Sequence, residues 1–302
     1  MGSVDLNSQA HLGRQLRELL RRPGGVLAPG VYDGISAQIA RKLEFEALYM
    51  TGFGVSATLG YPDIGLTTLT EMAASARRIA DVTGLPVIAD GDTGYGNPSN
   101  VYRTVREYER AGVAAIQLED QVFPKRCGHM SGKEVVPVRE HVEKIQAAVK
   151  ARTSEDFLII ARTDARAPLG LQEAIRRAQL YEQAGADVIF VEAPQSEQEM
   201  AEIRASVSSP LMANMVEFGK TPLFHRDRLI ELGYQLIIFP VTGLFSAAQA
   251  IEQSFTALLE KGTTQELVES GHMMEFNHFT DRMGLAFYRG LEQEVSESDR
   301  ES

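Results

Sequence analysis

The chain has 302 residues, of which 44% are hydrophobic and 24% are charged, which is the composition of an ordinary soluble globular protein. Its formal net charge of −11 argues against nucleic-acid binding, because no basic surface is available to neutralise phosphates. A single cysteine excludes a disulfide within the chain and fits a reducing compartment, and no run reaches the ~18 apolar residues of a membrane span. We therefore expect a cytoplasmic protein that binds neither nucleic acid nor membrane.

The chain begins with a predicted docking helix. Leu12, Leu16, Leu19 and Leu20 lie at helical spacing, and the segment Pro23-Gly24-Gly25 ends it. From residue 26 onward, short apolar runs alternate with segments of helical periodicity, which is the pattern of a parallel sheet covered by helices.

Eight apolar runs are the number that a (β/α)8 barrel requires, and a doubly wound open sheet is the alternative. Gly112, Gly185 and Gly233 stand where helices end, so positive φ angles are predicted there. The whole chain, 1–302, is interpreted as one barrel domain with its core at about 26–260, a helical extension at about 263–291 and an acidic tail at 292–302. The predicted strands are Val26–Ala28, Ala47–Met50, Pro86–Ala89, Ala114–Leu118, Phe157–Ala161, Val188–Val191, Pro210–Ala213 and Leu236–Phe239.

An apolar stripe follows the eighth unit, where the barrel should already be closed. It consists of Phe276, Phe279, Met283 and Phe287. The stripe could pack on the protein's own barrel wall or against a second subunit, and the spacing favours neither.

Polar side chains follow the predicted strands at the end where a barrel carries its active site. The acids come in pairs, Asp90 with Asp92 and Glu119 with Asp120. A charge at the end of a buried strand is costly unless it is paired or bound to an ion. Salt bridges between strand ends could explain a pair such as Arg162 with Glu192, but they leave an excess of acid, which favours a metal site. Further polar residues at predicted strand ends are Tyr49, Thr51, Asp164 and Asn214.

Mg²⁺ is the metal that these acids suit, with Mn²⁺ as an acceptable substitute. Mg²⁺ prefers octahedral oxygen coordination and takes only one or two protein carboxylates directly. Asp90 and Asp92 are two residues apart, so their side chains can lean toward the same side of an extended segment. Glu119 and Asp120 can complete the coordination and its surroundings.

Two further groups give the predicted site its chemistry. Arg162 offers a planar fork for a substrate carboxylate. Cys127 has Lys125, Arg126 and His129 around it, a setting that can lower the pKa of a thiol. These neighbours are wrong for a core position, so we interpret Cys127 as reactive, either as a nucleophile or as a proton donor. His129 joins it as a catalytic candidate whose simplest role is hydrogen bonding within the loop.

Seven motifs in order resemble the isocitrate lyase/phosphoenolpyruvate mutase superfamily, and the resemblance covers about residues 26–259. The Cys-Gly of the cysteine loop is similar to the lyase branch, whereas the phosphonate branch carries Asn-Ser there. The motifs are Pro-Gly-Val-Tyr-Asp-Gly (29–34), Gly-Tyr-Pro-Asp-Ile-Gly (60–65), Asp-Gly-Asp-Thr-Gly-Tyr-Gly (90–96), Glu-Asp-Gln (119–121), Lys-Arg-Cys-Gly-His (125–129), Ala-Arg-Thr-Asp-Ala (161–165) and Asn-Met-Val-Glu (214–217).

The resemblance implies a (β/α)8 barrel whose last helix is swapped between subunits, giving helix-swapped dimers and usually a homotetramer. It implies cleavage of the C2–C3 bond of a 2-hydroxy diacid by a retro-Claisen reaction, in which Mg²⁺ polarises the developing carbonyl and Cys127 protonates the carbanion. Tyr49 is the candidate base. Mg²⁺ is expected on Asp92, with Asp63, Asp90 and Glu119 around it, largely through waters. The expected substrate contacts are Thr51, Gly52, Phe53, Arg162, Glu192 and Asn214.

The expected substrate depends on a departure from the family. Methylisocitrate lyases resemble this chain but carry an arginine at the position of Phe245, where it helps to hold a third carboxylate. A phenyl ring cannot bind a carboxylate, so (2R,3S)-2,3-dimethylmalate or another 2-alkylmalate is expected, giving pyruvate and propanoate or a short carboxylate. The alternatives are cleavage of methylisocitrate, hydrolysis of oxaloacetate, and a non-catalytic protein that binds a metal and a dicarboxylate.

Overall fold

The protein is described from a computed structural model, which covers residues 6–128 and 132–298. Contacts divide the chain into two compact units, with the boundary between Leu244 and Phe245. The first unit contains a sheet and helices, and the second contains helices. The interpretation of residues 1–302 as a single domain stays a prediction.

The strands of the first unit are β1 (Val26–Val31), β2 (Leu48–Met50), β3 (Val87–Asp90), β4 (Ala115–Glu119), β5 (Leu158–Thr163), β6 (Val188–Val191), β7 (Met212–Asn214) and β8 (Leu236–Phe239). All are parallel, in the order β6-β5-β4-β3-β2-β1-β8-β7. A parallel bridge between Ile189 in β6 and Leu211 beside β7 joins the two ends of this order. The sheet is therefore a near-closed barrel, which confirms the predicted (β/α)8 architecture over the open sheet.

Several predicted boundaries differ from the structure by one to a few residues, and two of these differences have a local reason. The helical periodicity of the sequence predicts a helix over 222–232, whereas α10 covers Arg226–Glu231, because the His225 side chain accepts a hydrogen bond from Asp227 N and so caps the helix there. Strand β7 begins two residues later than predicted, after Pro210, which has no N–H for a ladder bond. The helices of the first unit are α1 (Leu6–Arg21), α2 (Gly34–Lys42), α3 (Gly52–Thr58), α4 (Leu69–Thr83), α5 (Pro98–Arg110), α6 (Val138–Ala151), α7 (Arg166–Leu169), α8 (Leu171–Gln183), α9 (Glu197–Ser206) and α10 (Arg226–Glu231).

Glycines set the short turns between helices and strands. Gly112, Gly185 and Gly233 have φ angles of +86°, +101° and +86°, which confirms the prediction for all three. Only glycine adopts this region without strain, so each helix stops abruptly and the next strand begins within a few residues. At these three turns the chain starts a strand, β4, β6 or β8, that runs parallel to its neighbours.

Helix α1 packs against the interior of the barrel. Leu16, Leu19 and Leu20 are buried in one cluster with inward-facing strand residues such as Ala115 and Leu158. A second, larger cluster lies between the strands and the surrounding helices. The leucines of the predicted docking helix therefore pack as the spacing predicts, and the structure adds that the helix fills the amino-terminal end of the barrel, opposite the polar strand ends.

The second unit exposes large apolar side chains. It contains most of α11 (Thr242–Lys261), together with α12 (Gln265–Glu269), α13 (Phe276–Arg282) and α14 (Leu285–Ser298). Residues 292–298, predicted as part of an acidic tail, belong to α14. Helix α11 contributes no buried side chain, although Phe255 and Leu259, which are 67% and 87% exposed, are large and apolar. Among the described helices, none combines the length and the apolar composition of a membrane-spanning segment.

The packing of α1 predicts an unusual response to a helix substitution. Gly13→Ala, in the middle of α1, would ordinarily stabilise the helix by roughly 0.5–1 kcal/mol. Here the added Cβ would lie 2.2 Å from the carbonyl oxygen of Asp156, so the helix must move away from the barrel. We expect the free energy of unfolding to fall by about 1–3 kcal/mol in urea titrations.

Gly34→Ala is the matched control, because Gly34 also belongs to a helix and its Cβ would meet nothing within 4 Å. Its stability should change by less than about 0.5 kcal/mol. Equal stability of the two variants would contradict the proposed contact between α1 and the Asp156 backbone.

Candidate active site

Arg162, at the end of β5, is the centre of the polar cluster at the carboxyl end of the barrel. Its Nε lies 2.9 Å from Asp164 Oδ2 and 3.8 Å from Glu192 Oε2, and its Nη1 lies 3.4 Å from Glu119 Oε2. Burial by itself would lower the pKa of Arg162, but the three carboxylates outweigh it and raise the pKa well above its usual value. The guanidinium carbon also lies 5.2 Å from the centre of the Phe190 ring. Arg162 is therefore a buried, permanently charged group that several strands share.

The backbone at the end of β3 is arranged around the Asp90 carboxylate. Asp90 Oδ2 accepts a hydrogen bond from Gly52 N at 3.3 Å, and Oδ1 accepts one from Asp92 N at 3.1 Å. A Cβ on Gly52 would lie 2.6 Å from Asp90 Oδ2, so only glycine fits here. Asp92 has a φ of +46°, which a residue with a side chain rarely adopts. The predicted residues Gly52, Asp90 and Asp92 are thus brought together.

A polar chain connects Asp90 to the barrel interior. Tyr49 OH donates to Gln117 Oε1 at 3.1 Å, and Gln117 Nε2 donates to Asp90 Oδ1 at 3.4 Å. Burial, reinforced by the charge of Asp90, raises the pKa of Tyr49 well above its usual value. The phenol therefore keeps its proton at neutral pH, which disfavours the predicted role of Tyr49 as a base and favours that of a hydrogen-bond donor.

Lys125 links two of the predicted metal ligands. Its ammonium group is buried, with a side-chain exposure of 3%, forms an ion pair with Asp63 Oδ1, and lies 2.8 Å from Asp92 Oδ1. Burial would lower the pKa of Lys125, but Asp92 and Asp63 outweigh it and raise the pKa well above its usual value. Lys125 was predicted only as a neighbour that tunes Cys127, whereas in the structure it holds Asp63 close to Asp92.

The acids fit a cation that keeps most of its water. Among the described residues, no three histidine, cysteine or acidic side chains come together as a metal cage. In the part of the chain that the structure describes, nothing donates a hydrogen bond to the buried oxygen Glu119 Oε1, whereas Asp92 Oδ1 lies 2.8 Å from the Lys125 ammonium. Burial raises the pKa of Asp92, and raises that of Glu119 well above its usual value. Such oxygens suit Mg²⁺, which takes one or two carboxylates directly.

Cys127 lies in a segment that contacts the Arg162 cluster. The cysteine is half-buried, and its neighbour Gly128 is so close to the cluster that a Cβ there would lie 2.4 Å from Arg162 Nη2 and 2.6 Å from Glu192 Oε1. Lys133, also buried, donates hydrogen bonds to Gly128 O and, at 2.6 Å, to Asp164 Oδ1. The structure therefore brings the cysteine segment and the predicted carboxylate fork together.

Asp120 supports the cluster from the side of α8. Its Oδ2 accepts hydrogen bonds from Tyr181 OH at 2.8 Å and Arg177 Nη1 at 3.0 Å, and its Oδ1 accepts one from Asp164 N at 2.8 Å. Burial raises the pKa of Asp120. Asp120 was grouped with the metal acids, but its partners show that it anchors the strand end that carries Arg162 and Asp164.

The remaining candidates lie in different surroundings. Thr51 is buried and caps α3 by accepting a hydrogen bond from Gly54 N, and Phe53 follows in the same helix. Asn214, at the end of β7, donates to Glu192 Oε2 at 3.2 Å. Phe245 belongs to the second unit, on α11. The predicted catalytic candidate His129 lies outside the described residues.

Sequence reasoning missed the roles of Gln117, Lys125 and Lys133. Gln117 could have been noticed, because it is a polar residue in the middle of the apolar run of β4. The burial of Lys125 and Lys133 had no such signal, since loop lysines are ordinarily exposed.

Comparison with known proteins agrees with this geometry. The family model described as phosphoenolpyruvate phosphomutase matches residues 16–259. The chain is 50% identical to a 2,3-dimethylmalate lyase of Eubacterium barkeri over 279 residues, covering 92% of this chain and 96% of the relative. This chain belongs to the phosphoenolpyruvate mutase/isocitrate lyase superfamily. The resemblance inferred from the motifs is thereby confirmed.

Two further relatives show the range of chemistry around this superfamily member. A 2-methylisocitrate lyase of Aeropyrum pernix is 46% identical over 289 residues, covering 96% of this chain and 92% of the relative. The solved structure of an oxaloacetate acetylhydrolase in complex with 3,3-difluorooxalacetate has a TM-score of 0.88 and 38% identity, covering 96% of this chain and 97% of that one. This chain is an enzyme of the lyase type, as predicted.

A buried histidine beside the Asp120 anchor makes the stability of the protein depend on pH. His141, on α6, packs edge-to-face on Tyr181 with 4.6 Å between ring centres. Burial, followed by the charges of Lys144 and Arg177, lowers the pKa of His141 to about 3. Between pH 6.5 and about 3 the unfolded chain binds a proton at this residue and the folded chain does not, so stability falls as pH falls through this window.

We expect His141→Leu to remove this dependence. Relative to the variant, the original protein should lose about 2 kcal/mol of unfolding free energy between pH 7 and pH 5, because His is unperturbed when unfolded. Urea titrations of both proteins at the two pH values measure this difference. Parallel changes in the two proteins would show that His141 titrates normally in the folded state.

Proposed function

We propose that this protein is a Mg²⁺-dependent carbon–carbon lyase that cleaves a 2-hydroxy diacid, with (2R,3S)-2,3-dimethylmalate or another 2-alkylmalate as substrate. The products would be pyruvate and propanoate or a short carboxylate. The observation that carries the proposal is the juxtaposition, at one end of the barrel, of the Arg162 guanidinium, the acids around Asp92 and the segment with Cys127. The similarity to the dimethylmalate lyase supports the choice of substrate.

Arg162 orients the substrate in this proposal. Its planar fork can bind the carboxylate next to the C2 hydroxyl, exchanging part of its present pairing with Glu119 and Glu192 for the substrate. Asp164 stays bound to the guanidinium and keeps it in place. The other proposed substrate contacts are Thr51, Gly52, Phe53, Glu192 and Asn214.

Asp92 is the proposed direct ligand of Mg²⁺ or Mn²⁺, with Asp63, Asp90 and Glu119 around it, largely through waters. Glu119 Oε1, which accepts no hydrogen bond from the described residues, and the buried Asp92 carboxylate support this assignment. When bound, the cation supplies a Lewis acid that stabilises negative charge on a substrate oxygen.

Cys127 is the proposed proton donor. Once a base has taken the C2 hydroxyl proton, the C2–C3 bond breaks and its electron pair stays on C3. The Cys127 thiol then gives its proton to C3, and the thiolate recovers a proton before the next turnover. A reducing compartment such as the cytoplasm would keep this thiol competent. Tyr49 remains a candidate catalytic residue, and its raised pKa supports the role of a hydrogen-bond donor rather than that of the base.

Phe245 is the proposed determinant of substrate choice, since its ring cannot bind the third carboxylate of methylisocitrate.

The second unit is the proposed subunit interface. The exposed Phe255, Leu259 and Phe287 would be covered by a second copy of the chain, in a helix-swapped dimer and a homotetramer.

A panel of diacids tests the proposed reaction. With Mg²⁺, 2,3-dimethylmalate or another 2-alkylmalate should yield pyruvate, detected by mass spectrometry, and EDTA should abolish the yield. Good turnover of methylisocitrate would contradict the argument from Phe245, and oxalate formed from oxaloacetate would favour a hydrolase. If no diacid is converted but one binds, the protein is a non-catalytic binder.

Cys127→Ser tests the proton donor. A hydroxyl is a much weaker acid than a thiol, so we expect kcat to fall by about 10²-fold or more, with a KM changed far less. Steady-state kinetics on the best substrate of the panel measure both constants. Full activity of the variant would remove Cys127 from the mechanism.

A further inference from the structure

Lys133 makes contacts that the proposed reaction does not use. Its ammonium group has a side-chain exposure of 1% and bonds both to the backbone carbonyl of Gly128 and to Asp164 Oδ1, 2.6 Å away. Burying a lysine is expensive, and loop lysines are seldom buried without a specific partner. Here the partners belong to two different parts of the site, the cysteine segment (residues 125–128) and the end of β5.

The cysteine segment packs tightly on the cluster through polar groups, and the Gln121 side chain holds its middle by hydrogen bonds of 2.8 and 3.0 Å with the Arg126 backbone. Gly128 faces Arg162 Nη2 and Glu192 Oε1 so closely that no Cβ could be accommodated. The described contacts of Gly128 with the cluster are backbone contacts, which supply little apolar burial to retain the segment. The other end of the segment is held through Lys125 by Asp63 and Asp92. Lys133 holds the end next to Cys127.

The Asp164 carboxylate makes this connection specific. Asp164 Oδ1 accepts hydrogen bonds from both Lys133 Nζ and Arg162 Nη2, and its backbone N–H donates to Asp120. Lys133 and Arg162 therefore bind the same oxygen. The Asp164 carboxylate that orients the guanidinium thus also fixes, through Lys133, the position of the cysteine segment. A shift of about 1 Å in a reacting group can cost about 10²-fold in rate, so this shared anchor matters for a proton transfer.

We propose that Lys133 is a positioning residue that holds the Cys127 thiol in register with the substrate carboxylate on Arg162, by tying the Gly128 carbonyl to Asp164. This inference rests on the proposed function for its catalytic consequence. The tie itself is a property of the folded protein and can be measured without any substrate.

The experiment uses the full-length protein and its single cysteine, so that a thiol reagent reports on Cys127 alone. In Lys133→Met the carbonyl of Gly128 loses its donor, and the half-buried thiol should react severalfold faster with iodoacetamide than in the original protein. Gly128→Ala frees the segment by a different cause, since the added Cβ collides with Arg162 and Glu192, and it should give the same increase. Lys133→Arg can still donate to both partners and should restore much of the slower rate.

Lys150→Met is the matched control, because Lys150 is an exposed lysine on α6. Cys127 in this variant should be alkylated at the same rate as in the original protein. On the best substrate, kcat of Lys133→Met should be lower by about 10- to 100-fold, with a smaller change in KM.

Thermal unfolding of every variant accompanies the measurements. If Lys133→Met and Gly128→Ala are both alkylated at the same rate as the original protein, the inference is wrong. It is also wrong if Lys133→Met has a lower melting temperature but an unchanged alkylation rate and kcat, which is the result expected of a purely structural lysine. If the original protein cleaves no diacid, the proposed function fails, while the alkylation rates still decide whether Lys133 ties the segment.

Discussion

The buried positive charge of Arg162 is the interaction on which the rest of this site depends. Three carboxylates from different strand ends lie within 4 Å of its guanidinium, and none of them is exposed. A charge in this environment is stable only if its partners stay in place, because removing one partner leaves the others uncompensated. The anchoring of Asp164 by Asp120, and of Asp120 by α8, is therefore as important for the site as Arg162 itself.

Negative charge exceeds positive charge in the described cluster. Lys125, Lys133 and Arg162 neutralise several acids, Asp92 among them, yet Glu119 keeps an oxygen that accepts no hydrogen bond from the described residues. The folded protein bears the cost of these desolvated carboxylates, as the raised pKa values of Asp92 and Glu119 show. A cation and an anionic substrate that bind together would relieve this cost, so binding should also stabilise the fold.

Much of the fold and part of the site could be predicted from the sequence. The apolar runs and the glycines at helix ends gave the barrel, because both are local signals with a direct physical cause. Asp90, Asp92, Glu119 and Arg162 could be grouped because the carboxyl ends of parallel strands lie at one end of a barrel. The direction of the Asp120 carboxylate and the reach of Lys125 could not be predicted, because a long side chain finds its partner only after the tertiary structure has formed.

The helix that fills the amino-terminal end of the barrel also bears on which end a substrate can reach. Leu16, Leu19 and Leu20 pack there as buried apolar side chains, so the described residues at that end are apolar and the polar groups lie at the other end. In the proposed reaction, the substrate would enter, and both fragments of the diacid would leave, past the strand ends that hold Arg162 and the cysteine segment. The fragment nearer the solvent would then leave before the one held by the guanidinium, which would give product release a defined order.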